Sequence, residues 1–178
     1  MYFAAGSPTV GVFGRGPVGT SARVLGAKMG ARVIAVEKNA ERRALAKKFG
    51  AAFALESEKE INEITKGEGV GLALDTTGVP AARVAAVRSA RTWGTVCFVG
   101  EGGDVTLDVS RDMLRKQLTI IGSWTFSAMG QLECARFAVD NGIDVDALFS
   151  HRWKLEQADE AYRLFDTQST GKGVITFK

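Results

Sequence analysis

The sequence holds a single histidine, His151, and only two cysteines, Cys97 and Cys134. A metal centre needs about four N, S or O ligands at motif spacing, and these scattered residues do not supply one. Both cysteines lie in apolar stretches and are expected to be buried free thiols in a cytoplasmic protein. No apolar run approaches the roughly 20 residues of a membrane helix. The opening residues Met1-Tyr2-Phe3-Ala4-Ala5-Gly6 lack the basic leader and long apolar stretch of a secretory signal. Charge of one sign is scarcely in excess: 23 Lys and Arg against 20 Asp and Glu leave +3. These charges are spread through segments that carry both signs, which excludes the one-sided basic stripe of a nucleic-acid binder. Repeats of solenoid length and low-complexity segments are both missing. A hydrophobic share of 46% with 24% charged residues excludes a disordered chain. At 178 residues the chain suffices for one domain with a full core.

Glycine is what the sequence has instead, 21 residues against 3 prolines. Many glycines directly follow short apolar runs, where a parallel sheet places its turns. Thr9 to Phe13 reads as a strand that stops at Gly14. Val18 to Met29 reads as a helix, with Val18, Ala22, Leu25 and Met29 on one face and Gly30 as its C-cap. The alternation continues through strand Arg32–Val36, helix Ala40–Phe49 (Leu45 and Phe49 inward), weak strand 52–55 and short helix 58–65. Strand Val70–Asp75, helix 81–90, strand Gly94–Val99, an exposed strand or loop at 105–109, a helical turn at 111–116 and strand Leu118–Gly122 follow. Strands alternating with helices predict an α/β fold, a doubly wound parallel sheet of six strands. The last part differs: helix Met129–Asn141, helix Leu155–Phe165 and strand Val174–Phe177 break the alternation. A boundary is expected near 150, with a nucleotide-binding domain at 1–150 and a C-terminal segment at 151–178.

One motif carries chemistry. Gly14-Arg15-Gly16-Pro17-Val18-Gly19 is a G-x-G-x-x-G run between a strand and a helix, the context that gives the pattern meaning. Gly14 permits a tight turn, Gly16 lets the backbone approach a pyrophosphate, and Gly19 lets the helix pack on the strand. Phosphates would then meet free N–H groups at the positive end of the helix, and Pro17 gives up an N–H that has no partner anyway. Glu37 ends the second strand 18 residues after Gly19, close to the spacing of about 20 for an acid that binds the adenine ribose. Its carboxylate favours NAD over NADP, whose 2′-phosphate it repels. Lys38, Arg42 and Arg43 act in the opposite sense. Taken singly, the glycines could form a bare turn and Glu37 could be a solvated loop acid; in register together they point to dinucleotide binding.

The chain resembles the cofactor domain of the zinc-dependent medium-chain alcohol dehydrogenases, in particular the threonine and sorbitol dehydrogenase branch, where a G-x-G-P-x-G loop is common. The resemblance rests on Val12 to Gly19, Asp75-Thr76-Thr77-Gly78, Gly94 to Gly100, Ile120-Ile121-Gly122-Ser123, His151-Arg152-Trp153 and Gly171-Lys172-Gly173-Val174. It implies a Rossmann domain that binds NAD and takes hydride from an alcohol or polyol held on zinc in the intact enzyme. Thr76, Thr77 and Gly78 would lie beside the cofactor ribose, and Val99 and Gly100 under the nicotinamide. The backbone of Ser123 and Thr125 would bond the carboxamide, Arg42 would reach the adenosine ribose, and Lys172 would stand near the pyrophosphate. Plainer roles exist for several: a strand end for Thr76 and Thr77, a solvated helix position for Arg42, a turn lysine for Lys172, solvent for Arg15. The family's GroES-like catalytic domain with its zinc ligands has no counterpart before Thr9, so the sequence reads as a truncated form. The segment from about His151 packs, in the family, on that domain. No catalytic or metal-binding residue is assigned to this chain, and alone it is expected to bind NAD, no zinc, and to turn over no alcohol. A homodimer through strand 118–122 is also expected. The rival reading is a non-catalytic nucleotide-binding or sensor module.

Overall fold

A computed structural model describes residues 8–14, 16–38, 40–167 and 171–177, without the side chains of Glu41 and Arg42. The chain divides into two compact units, the first ending at Phe126 and the second beginning at Ser127. The boundary near 150 expected from the pattern lies within the second of these units.

The first unit alternates strand and helix. It runs β1 Thr9–Phe13, α1 Pro17–Lys28, β2 Arg32–Val36, α2 Ala40–Lys48, β3 Phe53–Leu55, α3 Lys59–Ile64, β4 Val70–Asp75, α4 Pro80–Ser89, β5 Ala90–Phe98 and β6 Thr119–Gly122. All six strands are parallel in the order β3-β2-β1-β4-β5-β6. The order reverses between β1 and β4, so a crevice opens beyond the carboxyl ends of those strands. Strands covered on both faces should be apolar throughout. Accordingly Val10, Val12 and Phe13 of β1 and Val33, Ile34 and Ala35 of β2 are all buried.

Helix α1 corrects the expected inward face. Val18 is 51% exposed and Met29 is exposed, while Gly19, Arg23 and Gly26 are buried. Small residues let the helix lie close to the sheet: a Cβ on Gly26 would come within 3.3 Å of Val33. In α2, likewise, Ala46 is buried and Leu45 exposed. Strand β5 begins earlier than the apolar run suggests, because Ala90 pairs with Val70 before a register shift. Residues 105–108 are irregular rather than a strand, and the turn after them is π-helical, Val109–Leu114. There the carboxylate of buried Asp112 accepts from the Arg111 guanidinium at 3.0 Å and from the Asp108 N–H at 3.1 Å.

The second unit holds α5 Ala128–Asp140, β7 Phe149–Lys154, α6 Ala158–Asp166 and β8 Lys172–Thr176. Strand β7 is an element to which the sequence pattern assigns nothing. It pairs in parallel with β8, and its Trp153 and Ala161 of α6 are buried. Ser127 caps α5, accepting from the Gly130 N–H at 3.0 Å. Cys134 lies on α5 and is exposed, against the expectation of a buried thiol; Cys97 in β5 is half-buried, and burial raises its pKa.

Candidate functional site

The glycine motif lies at the carboxyl end of β1, beside the point where the strand order reverses. Its three glycines meet different surroundings. Gly14 has φ +98°, and a Cβ there would come within 2.6 Å of both Thr76 Oγ1 and Thr77 Cγ2. A Cβ on Gly19 would strike the Gly14 carbonyl oxygen and lie 2.9 Å from Thr76 Oγ1. These two glycines serve the packing of turn and helix. Gly16 faces open space: its chain neighbours apart, no atom of the described residues lies within 4 Å of a would-be Cβ. It caps α1 with no side-chain hydrogen bond, no acid follows in the first turn, and Pro17 occupies the first helical position. The N–H groups of Val18 and Gly19 begin the helix without a capping side chain among the described residues. Free N–H groups at the positive end of a helix are suited chemically to an anion.

Beneath the loop runs Arg23, 2% exposed. Its guanidinium donates to the Gly14 carbonyl at 3.0 Å and to Thr20 Oγ1 at 2.9 Å. Burial pulls its pKa down to about 10, with the Glu37 charge opposing. It therefore stays cationic at neutral pH and holds the turn in shape from inside.

A cleft of about 430 Å³ opens on the β2 side of the loop. Phe13, Gly14, Glu37, Lys38 and Thr77 line it, with Val79, Ala81, Ala82 and Ala85 as an apolar wall and Glu56 and Glu58 at the rim. Glu37 is half-buried at the end of β2, and its N–H is held by the Leu55 carbonyl at 2.8 Å. Arg43 donates to the carbonyls of Glu37 (2.9 Å) and Lys38 (2.6 Å) and pairs with Glu56 at 3.4 Å. It pins the loop that carries the acid. The Lys38 side chain is exposed.

Across β1, the ends of β4 and β5 are locked together. Buried Asp75 accepts from Thr77 N–H (3.0 Å), Thr77 Oγ1 (2.7 Å) and Gly78 N–H (3.3 Å). Its main-chain carbonyl accepts from Val99 at 2.9 Å and Gly100 at 3.1 Å. Thr76 Oγ1 donates to the Phe13 carbonyl at 2.9 Å. Both threonines thus hold the strand ends. A Cβ on Gly100 would strike the Gly78 N–H, so the two loops touch backbone to backbone. Beyond β6, the Ser123 N–H is donated to the Phe98 carbonyl at 2.9 Å, and Thr125 sits at φ +55°.

Gly14, Gly16, Pro17, Val18, Gly19, Glu37, Lys38, Thr76, Thr77, Gly78, Val99 and Gly100 thus gather around one crevice. Ser123 and Thr125 follow directly on the edge strand β6. Lys172 belongs to the second unit, where its ammonium lies 5.8 Å over the Phe149 ring. The side chain of Arg42, and Arg15 entirely, lie outside the described residues. Sequence reasoning missed Arg23, Glu56, Glu58 and Arg83, and gave no role to Asp75.

No group of three or more His, Cys, Asp or Glu is placed to hold a metal ion among the described residues. His151 stacks on Trp153 at 5.3 Å and shares a hydrogen bond with Ser150 Oγ at 2.8 Å. The described residues supply no donor set for a zinc centre. None of the described helices is long and apolar enough to cross a membrane.

A sequence model described as zinc-binding dehydrogenase matches residues 17–141, more than half of the chain. The chain belongs to that family. The zinc-type alcohol dehydrogenase-like protein YphC of Escherichia coli is 39% identical, over 97% of this chain and 51% of its own length. The L-threonine 3-dehydrogenase of Bacillus subtilis is 30% identical, over 94% and 50%. The crystal structure of galactitol-1-phosphate dehydrogenase from Escherichia coli superposes with a TM-score of 0.81 at 27% identity, over 94% of this chain and 53% of that one. The chain therefore spans about half the length of the zinc-binding dehydrogenases it matches.

Proposed function

We propose that this chain is the NAD-binding portion of a zinc-dependent alcohol or polyol dehydrogenase. The observation that carries the reading is Gly16: the one glycine of the motif with empty space where a side chain would be, at the uncapped start of α1. The Val18 and Gly19 N–H groups hold the pyrophosphate there. Glu37 accepts hydrogen bonds from the adenine ribose hydroxyls, and the adenine lies against the wall from Val79 to Ala85. Thr76, Thr77 and Gly78 flank the second ribose, and Val99 and Gly100 support the nicotinamide, with Ser123 and Thr125 near its carboxamide. When bound, the nicotinamide supplies the hydride acceptor. The alcohol or polyol, and the zinc that activates it, are met outside the residues described.

NAD is favoured over NADP. A 2′-phosphate at Glu37 would face its carboxylate, with Glu56 and Glu58 on the same cleft. Arg43, which could otherwise pair with such a phosphate, is committed to two carbonyls and Glu56. A homodimer formed along the outer edge of β6 completes the reading, supported by the position of β6 at the end of the sheet and by exposed Ile121. Two free thiols fit a cytoplasmic setting. Titration calorimetry with NAD+ and NADP+ tests the central claim. The expected result is NAD+ binding tighter by about 1–2 kcal/mol, the worth of one charged hydrogen bond; NADP+ binding as tight or tighter overturns it.

A further inference from the structure

The segment that follows β5 is Gly100-Glu101-Gly102-Gly103. Three glycines in four residues make it costly to order, because glycine loses the most backbone freedom on folding. Gly102 and Gly103 also adopt φ values of +87° and +64°. Yet the segment is fastened at both ends by one side chain. Arg83, on the second turn of α4, donates to the Gly100 carbonyl at 2.6 Å and to the Gly103 carbonyl. Its Nε faces the buried Asp75 carboxylate at 3.5 Å, and its guanidinium lies 5.7 Å over the Phe98 ring. Asp75 in turn holds the Thr77 and Gly78 N–H groups and, through its carbonyl, Val99 and Gly100. The ion pair between buried Asp75 and part-buried Arg83 therefore joins the loop after β4 to the loop after β5.

A dinucleotide bound at a strand-order reversal divides between two mononucleotide halves. The acid-bearing cleft on the β2 side takes the adenosine, so the second nucleotide lies over the ends of β4 and β5. We propose that Arg83 is a positioning residue for that second half: it fixes the glycine-rich shelf without touching the ligand. The inference rests on the dinucleotide reading above.

The test is calorimetric titration of the full chain and its Arg83→Met variant with NAD+ and with ADP, which probes the adenosine side alone. Arg83→Met should weaken NAD+ binding about tenfold through lost preorganisation, while ADP binding changes by less than about twofold. Equal weakening of both ligands, or no weakening of NAD+, overturns the role. Failure of the unmutated chain to bind either ligand overturns the dinucleotide reading itself. Should leaving Asp75 unpaired prevent folding of Arg83→Met, Arg83→Lys retains the charge but not the fork. It should show faster amide hydrogen exchange at 99–103 with exchange in β1 and β4 unchanged, and the same selective loss of NAD+. Unchanged exchange at 99–103 overturns the clamp.

Discussion

Two glycines of the loop, Gly16 and Gly19, predict separable outcomes, and Gly16→Ala is the decisive one. Gly16 has φ −52° and ψ 178°, a conformation alanine adopts without strain. Its chain neighbours apart, the new methyl meets no atom of the described residues within 4 Å. Restricting the unfolded chain stabilises by about 0.4–1 kcal/mol. Alanine is a poorer N-cap than glycine, which costs an amount of similar size, up to about 1 kcal/mol. The net change in stability is therefore within about 1 kcal/mol, and Tm should move by no more than about 4 °C for a chain of this size. Binding is another matter. The methyl fills the space through which a phosphate approaches the helix start, and losing one charge-assisted hydrogen bond costs about 1.5–3 kcal/mol. NAD+ affinity should fall by about tenfold to a hundredfold. Gly19→Ala behaves differently, because its Cβ would strike the Gly14 carbonyl, a backbone atom that cannot swing aside; overpacking of this kind costs about 1–3 kcal/mol of stability. Calorimetric titration and thermal unfolding, run on both variants, separate the cases. The reasoning is refuted if Gly16→Ala binds NAD+ as tightly as the unmutated chain, or loses as much stability as Gly19→Ala.

Three further outcomes are expected. Glu37→Gln should remove most of the preference for NAD+, bringing the two cofactors within about threefold in a paired titration; an undiminished preference would place selectivity elsewhere. The Arg111 guanidinium, helped by the Asp108 N–H and Arg88, holds the Asp112 carboxyl at about 2, below its ordinary 3.8. A carboxyl lowered on folding lends stability above its unfolded pKa and loses it as pH falls towards the folded one. The deficit of Asp112→Asn should therefore be largest at neutral pH and shrink below about pH 4 in denaturant titrations, whereas a constant deficit would contradict it. Ile121→Lys places a charge on the open edge of β6 and should convert dimers to monomers in light scattering; an unmutated chain already monomeric at high concentration would remove the interface.

Most of the sheet was legible because its strands are short apolar runs punctuated by glycine. The predicted limits of β1, β2 and β4 coincide with the observed ones, since each is a short run with a buried apolar centre. Gly14 and Gly19 were legible for a related reason: a Cβ at either would strike a neighbouring atom. Strand β7 was not. Phe149-Ser150-His151-Arg152-Trp153-Lys154 alternates in exposure, and only Trp153 is buried. Its partner β8 lies some twenty residues away in the chain, a pairing that local pattern does not encode.

The arginines expose a deeper limit. Arg23 lies within Ala22-Arg23-Val24-Leu25, and Arg83 within Ala81-Ala82-Arg83-Val84-Ala85. A charge inside an apolar run reads as the solvent side of a helix, since arginine is rarely buried. Both side chains turn inward instead, and both end on main-chain carbonyls: Arg23 on Gly14, Arg83 on Gly100 and Gly103. The common cause is the geometry of a strand-order reversal. Glycine loops leave the strands there at close quarters, and their carbonyls have neither a ladder partner nor a neighbouring side chain to satisfy them. A guanidinium supplies several donors from a fixed plane, so one residue satisfies two loop carbonyls at once. The same glycines that open the crevice to a ligand thus create the need for an internal clamp, and the helices that follow β1 and β4 each provide one.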